Sequence, residues 1–202
     1  MHERKSKLHI QRKDLASLDP EQWLTDTAIE AYMTSFAETT TLYVLSSIQA
    51  SSIAEHGFTK TGIRKQLAHF EFIAGPIHID KNHWALLFID VGSQTVVYID
   101  SRGENGPTTN KVLINWNLFC RGREIMKDIK WNPISYSHVI QSTSDFSNCG
   151  VFACYFFKNL LNQNAAKLNS TFDINIFRNE IRSVIEKNSK KKTRNITNRY
   201  NL

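Results

Sequence analysis

The stretch "HWALLFIDVGSQTVVYID", residues 83–100, restricts the fold more than any other part of the chain. Two runs of aromatic and β-branched residues flank the turn-forming "VGS", a pattern that predicts a hairpin. Within the first run, "WALLFI" is apolar at every position, so a strand built from it is covered on both faces. Covering both faces requires helices on each side of the sheet, and helical patterns surround this region. "LDPEQWLTDTAIEAYMTSFAE" (18–38) reads as a helix with Asp19 as N-cap, Pro20 at its first position and Gln22 as in a capping box. "LYVLSSIQASSIAEHG" (42–57) reads as a second helix, stopped by Gly57. "HFEFIAGPIHID" (69–80) and the alternating "ISYSHVIQ" (134–141) predict further strands. "GPTTNKVLINWNLFCRG", "CGVFACYFFKNLLNQ" and "FDINIFRNEIRSVIEK", with Asp173 near its start, predict three more helices. The fold class is α+β, a small central sheet of three to five strands flanked by helices.

A chain of 202 residues with 41% hydrophobic content suits one domain with short tails. We place the domain at 15–188, between a basic arm (1–14) and a basic tail (189–202) expected to be a solvated end. No run reaches the roughly 18 apolar residues of a membrane span, and "MHERKSKLHIQRKD" lacks the apolar core of a secretory signal. Three cysteines without metal-type spacing predict free thiols in a reducing, intracellular compartment. The net charge of +6 comes from the ends: residues 187–202 hold six Lys or Arg and no acid, leaving 19 basic against 19 acidic before them. Residues 1–13 hold five basic and one acidic, so 14–186 carry 14 against 18. A mildly acidic body argues against a nucleic-acid-binding fold and suits a basic protein partner.

In "SDFSNCGVFACYFFKNLL" (144–161), Cys149 sits between a polar run and an apolar helix, whereas Cys154 lies inside the helix. A helix N-terminus favours the thiolate, and the following Gly150 allows a substrate to approach closely. Burial as a small apolar residue is the competing role on local sequence. A nucleophile needs a base held in place by a carboxylate or amide. Of seven histidines, His78 and His138 read as half-buried strand residues, while His83 starts a strand at a loop junction. Asp100 ends the partner strand, so the hairpin's open end brings the two together. Gln141, Asn148 and the Cys149 amide are candidate donors to an oxyanion.

These residues resemble, in order and spacing, the ubiquitin-like-protein-specific cysteine proteases, a family of SUMO proteases and deneddylases that includes bacterial effector deubiquitinases. The resemblance rests on "WLTD" (23–26), "HW" (83, 84), "YIDS" (98–101), Gln141 and "NCGVF" (148–152). It implies a papain-like core with His83 as general base, Asp100 orienting it, Cys149 as nucleophile and Gln141 as oxyanion donor. It further implies that Trp23 and Trp84 enclose a tunnel for a Gly-Gly tail, through which only residues without side chains pass. Asp26 looks like a contact to the modifier's tail, and core packing is the plainer role for Trp23. The chain departs from the family pattern in carrying Asn148 where an aspartate is usual, with Asp145 three residues earlier, and in a Gln141–Cys149 interval about two residues longer, which implies a bulged loop. The resemblance implies a monomer that needs no metal or cofactor and acts on ubiquitin or a related modifier, with a deubiquitinase as the leading expectation. SUMO or NEDD8 processing, effector-type acetyl transfer and an inactive modifier-binding module are the alternatives, and a secreted effector would work in a host cytoplasm.

Overall fold

In the computed structural model, which describes residues 9–37, 39–63 and 65–200 and side chains as far as residue 189, the hairpin forms the middle of a five-stranded sheet. The elements in chain order are α1 (Arg12–Ala16), α2 (Asp26–Phe36), β1 (Leu42–Val44), α3 (Ser47–His56), β2 (Phe72–Ile79), β3 (His83–Asp90), β4 (Thr95–Ile99), α4 (Gly106–Arg121), β5 (Asn132–Ile134), α5 (Cys149–Leu161) and α6 (Ile174–Tyr200). The strands lie in sequence order, the two inner pairings antiparallel and the two outer ones parallel.

The two-residue alternation of β3 divides the interior into two cores. Trp84, Leu86 and Phe88 join Val97 and Ile99 of β4 on the face covered by α2, α5 and α6. Ala85, Leu87 and Ile89 join Val96 and Tyr98 on the face covered by α3 and α4. Each large apolar side chain hidden in this way contributes about 1.5–3 kcal/mol. α5 is the central helix of the first face, with every residue but Lys158 buried. A helix apolar all round is stable only inside a core, and that fixes where its first residue, Cys149, must lie.

Three sequence expectations are corrected. α2 begins at Asp26, not near Pro20: Thr25 is its N-cap and accepts the Ala28 N–H at 3.1 Å. The stretch before it is a series of turns over 17–21, with Glu21 left-handed at φ 61°, followed by irregular chain to Thr25, and the carbonyls of Asp19, Gln22 and Leu24 are bonded to distant side chains instead of a helix ladder. The helix expected over 42–57 is split: Leu42–Val44 pairs with β2 as a strand, and α3 starts after a Ser46/Gln49 capping box and stops at left-handed Gly57. Of "ISYSHVIQ" only Ile134 is in a strand. Beyond it the backbone bonds to loops instead of a ladder, Val139 N–H to Leu168 and Gln141 N–H to Ser101. α6, capped by Asp173 through the Ile176 N–H at 2.9 Å, continues through the expected boundary at 188 to Tyr200. The basic arm lies outside the described residues up to residue 8.

α3 packs onto β2 at Gly75, where a Cβ would lie 2.8 Å from Leu45 Cβ and 2.9 Å from Ala50 Cβ. Gly75→Ala is therefore expected to destabilise the domain by about 1–3 kcal/mol. At this size that lowers Tm by roughly 2–4 °C per kcal/mol. An unchanged thermal melt would show that α3 does not rest on this contact.

Candidate active site

β3 outruns its partner. Leu86 pairs with Ile99, the last residue of β4, so His83 projects past the point where the chain turns away at Asp100. There His83 Nε2 donates to Asp100 Oδ1 at 2.6 Å. The same oxygen accepts the Arg102 N–H at 2.8 Å, and Tyr98 O–H donates to Oδ2 at 3.3 Å. A carboxylate accepting from Nε2 fixes the proton there and leaves Nδ1 for other work. His83 is 2% exposed and its Nδ1 has no hydrogen-bond partner among the described residues. The Cys149 thiol is the neighbour that acts on this imidazole without meeting the geometry of a bond. Catalytic contacts are commonly loose until substrate arrives.

Burial disfavours a charged His83, but the Asp100 hydrogen bond and the Cys149 sulfur outweigh it and raise its pKa to about 9. Burial likewise pushes Asp100 up, yet the bonds from His83 and the Arg102 amide hold its carboxyl below the ordinary value.

Cys149 is the first residue of α5 and is 1% exposed. Its N–H and that of Gly150 have no acceptor among the described residues, as expected for a helix's first turn. Gly150 has a packing reason of its own. A Cβ there would lie 3.0 Å from Leu24 Cβ, 3.1 Å from Ile29 Cδ1 and 3.2 Å from Trp84 Cδ1, so the glycine lets α5 close onto α2, β3 and the segment before α2.

Gln141, 4% exposed, is held at both ends of its amide: Oε1 accepts from Ser101 O–H and Nε2 donates to the Asp145 carbonyl, each at 2.8 Å. One Nε2 hydrogen is left over. The lengthened loop is thus gathered around Gln141 as a turn. Asn148, the other candidate side-chain donor, is also engaged at both ends of its amide. Its Oδ1 accepts from Arg178 Nε (3.0 Å) and Nη2 (2.7 Å), and its Nδ2 donates to Asp145 Oδ1 at 2.9 Å.

Trp23, Asp26 and Trp84 line one open groove of about 620 Å³, with Ile48, His78 and Lys81. Trp23 is 43% exposed and outside α2, so the packing role is excluded, whereas Trp84 is buried. The carbonyls on either side of Trp23 are tied down, Gln22 by Arg178 Nη2 at 2.6 Å and Leu24 by Trp84 Nε1 at 3.1 Å. His78 stacks on the Trp84 indole with ring centres 4.2 Å apart.

Arg178 was not foreseen from the sequence, and Asp145 and Ser101 were noted there only as a neighbouring acid and as part of the "YIDS" motif, without the contacts they make. Arg178 left a signal: it lies three residues before Ile181 and seven before Ile185, both buried, so it is a charge within the apolar stripe of α6. Asp145 and Ser101 carried no such mark, since they act only through a folded loop.

His83 is expected to titrate near pH 9 by NMR. Its contribution to stability is fully present below about 6.5 and is lost as the pH rises through about 9. Asp100→Asn removes a raising influence and leaves the lowering effect of burial, so the midpoint moves down by about 1–2 pH units. A midpoint that holds or rises would contradict the pairing.

A model of the Ulp1 protease family, C-terminal catalytic domain, matches residues 22–193. Ubiquitin-like-specific protease 1 of Saccharomyces cerevisiae is 28% identical over 156 residues, covering 73% of this chain and 25% of that protein. Human sentrin-specific protease 2 is 27% identical over 165 residues, covering 74% and 28%. The chain's match thus spans about a quarter of these relatives' length. Among solved structures, the C-terminal Ulp1 protease domain in complex with Smt3, the yeast orthologue of SUMO, shares the fold with a TM-score of 0.73 at 22% identity, over 90% of this chain and 85% of that one. The Xanthomonas campestris effector XopD bound to ubiquitin gives 0.51 at 17% identity, over 88% and 100%. With the family pattern running through nearly the whole described domain, the chain belongs to the Ulp1 protease family.

Proposed function

We propose that this domain is a cysteine protease that cuts a ubiquitin-like modifier of the SUMO type after its C-terminal Gly-Gly, releasing it from a lysine side chain or from a precursor tail. The observation that carries the reading is the buried Nδ1 of His83, without a hydrogen-bond partner beside the Cys149 thiol, on an imidazole whose other nitrogen is bound to Asp100. Naming the SUMO type over the deubiquitinase expected from sequence rests on the two relatives, one ubiquitin-like-specific and one sentrin-specific.

His83 takes the Cys149 proton on Nδ1, and the thiolate attacks the carbonyl carbon of the terminal glycine. A C–S bond forms and the oxygen becomes an oxyanion, accepting from the Cys149 N–H and the spare Gln141 Nε2 hydrogen. The intermediate collapses, the C–N bond breaks and the imidazolium protonates the leaving amine, giving a thioester. Water, deprotonated by His83, then attacks the thioester, freeing the modifier's carboxylate and restoring the thiol. Thiol, imidazole and amide donors supply every role, so the chemistry calls on no metal or cofactor. All of these groups come from one chain, which suits a monomer in a reducing compartment that keeps Cys120, Cys149 and Cys154 free. Trp23 and Trp84 receive the glycines in their groove, and exposed Asp26 meets the modifier beside it.

The test uses SUMO, ubiquitin and a NEDD8-type modifier, each with an electrophile at its C-terminus, on the wild-type chain and Cys149→Ala. The SUMO probe is expected to label the wild type stoichiometrically and leave the variant untouched. Labelling by the ubiquitin probe alone would overturn the SUMO assignment in favour of a deubiquitinase. Labelling by none, as an acetyltransferase or inactive binding module would give, or labelling that survives the substitution, would overturn the protease reading.

A further inference from the structure

The site has a second histidine–carboxylate pair behind the first. His138 is 8% exposed, in the irregular stretch that leads to Gln141, and its ring lies edge-on to Phe156 of α5 with centres 5.0 Å apart. Its Nε2 meets Glu104 Oε1 at 2.8 Å and its Nδ1 meets the Val139 carbonyl at 3.1 Å. A carboxylate and a carbonyl can only accept, so both ring nitrogens must donate, and only the imidazolium has two N–H groups. The same Glu104 Oε1 accepts the Asp100 N–H at 2.8 Å. Glu104 therefore joins two partners at one oxygen: the buried histidine, and the backbone of the residue that holds His83.

We propose that His138, as a buried imidazolium, is a positioning residue for the reaction, fixing Glu104 so that Glu104 in turn fixes Asp100 against His83. The charged groups facing it are Glu104 and Asp100, both from the segment after β4, while α5 presents the apolar Phe156. Burial works against the cation, but Glu104, the Val139 carbonyl and Asp100 outweigh it, so its pKa is raised. Without the cation, two carboxylates on one short loop would repel, and Glu104 would turn to water and release the Asp100 N–H. His138 also touches the helix that carries Cys149, so one ring ties the orienting carboxylate, the approach to Gln141 and the nucleophile's helix together. The inference rests on the proposed function only in so far as Asp100 orients a catalytic His83.

The first measurement needs no substrate. In long-range ¹H–¹⁵N spectra of the histidine-labelled wild-type chain at pH 7, both His138 nitrogens are expected to be protonated, and Glu104→Gln is expected to lower its titration midpoint. In Glu104→Gln and in His138→Gln the low-field proton of the His83 Nε2–H···Asp100 bond is expected to move upfield as that alignment loosens. The second measurement uses the modifier that the chain cleaves. Per titrated Cys149, each substitution is expected to lower kcat roughly tenfold and to leave KM within about twofold, because the Trp23–Trp84 groove is untouched. The double variant is expected to lose no more than the worse single one, since the pair acts as a unit. If His138→Gln does not fold, Glu104→Gln carries the test, its side chain being 18% exposed. A neutral His138 at pH 7, an unmoved His83 resonance, an unchanged kcat or additive losses would overturn the proposal. A wild-type chain that cleaves nothing yet shows the two NMR results would overturn the protease reading and leave the His138 linkage standing.

Discussion

The guanidinium of Arg178 is the interaction on which the site depends. It is 2% exposed, and all three of its nitrogens are bonded: Nη1 to the carbonyls of Ser17 and Asp19, Nη2 to those of Gln22 and Ser147, and Nε and Nη2 to Asn148 Oδ1. A buried charge left unsatisfied costs several kcal/mol, so the chain ends that meet it have little freedom to be elsewhere. Arginine suits the task because its planar fork reaches several acceptors at once, which a lysine's single ammonium does not. The fork holds both the segment that presents Trp23 and the residue before Cys149, with Nη2 alone reaching the Gln22 carbonyl and Asn148 Oδ1. The Trp23–Trp84 groove and the Cys149 end of α5 are thus set by one group from α6.

The same group explains how the chain tolerates Asn148 in place of an aspartate. Asn148 accepts from Arg178 at one end of its amide and donates to Asp145 at the other. Asp145 Oδ1 also accepts the N–H groups of Ser147 and Asn148, and its charge acts on Arg178. The negative charge has moved three residues back, and the asparagine links it to the cation. The seven residues between Gln141 and Cys149 make room for this turn, which Gln141 closes through the Asp145 carbonyl. The bulge foreseen from the interval is there, and it holds the glutamine in place.

What was legible in the sequence was what local pattern decides. "WALLFI" announced a strand covered on both faces because alternation has no preferred side to expose, and His83 and Asp100 followed because strand ends meet in a hairpin. α5 was legible because an all-apolar helix has only one kind of environment. Features set by distant partners were not. Asp19, Pro20 and Gln22 have good N-terminal chemistry, but Arg178 and Trp84 draw this stretch out of the helix. "ISYSHVIQ" alternates like a strand, yet Ser101 and Leu168 take its amides. The packing need for Gly150 was not legible either, since Leu24, Ile29 and Trp84 are brought to it only by the fold. His138 was read as a half-buried strand residue, but it is buried in an irregular stretch, where Glu104 and the Val139 carbonyl meet its two ring nitrogens.

The claim that one buried guanidinium sets both halves of the site is tested most directly by hydrogen exchange in Arg178→Lys. The account predicts that amides in 17–25 and in 144–150 lose protection together, while those of 84–89 in the central strand keep wild-type protection. Loss confined to one of the two segments, or no loss in either, would contradict it.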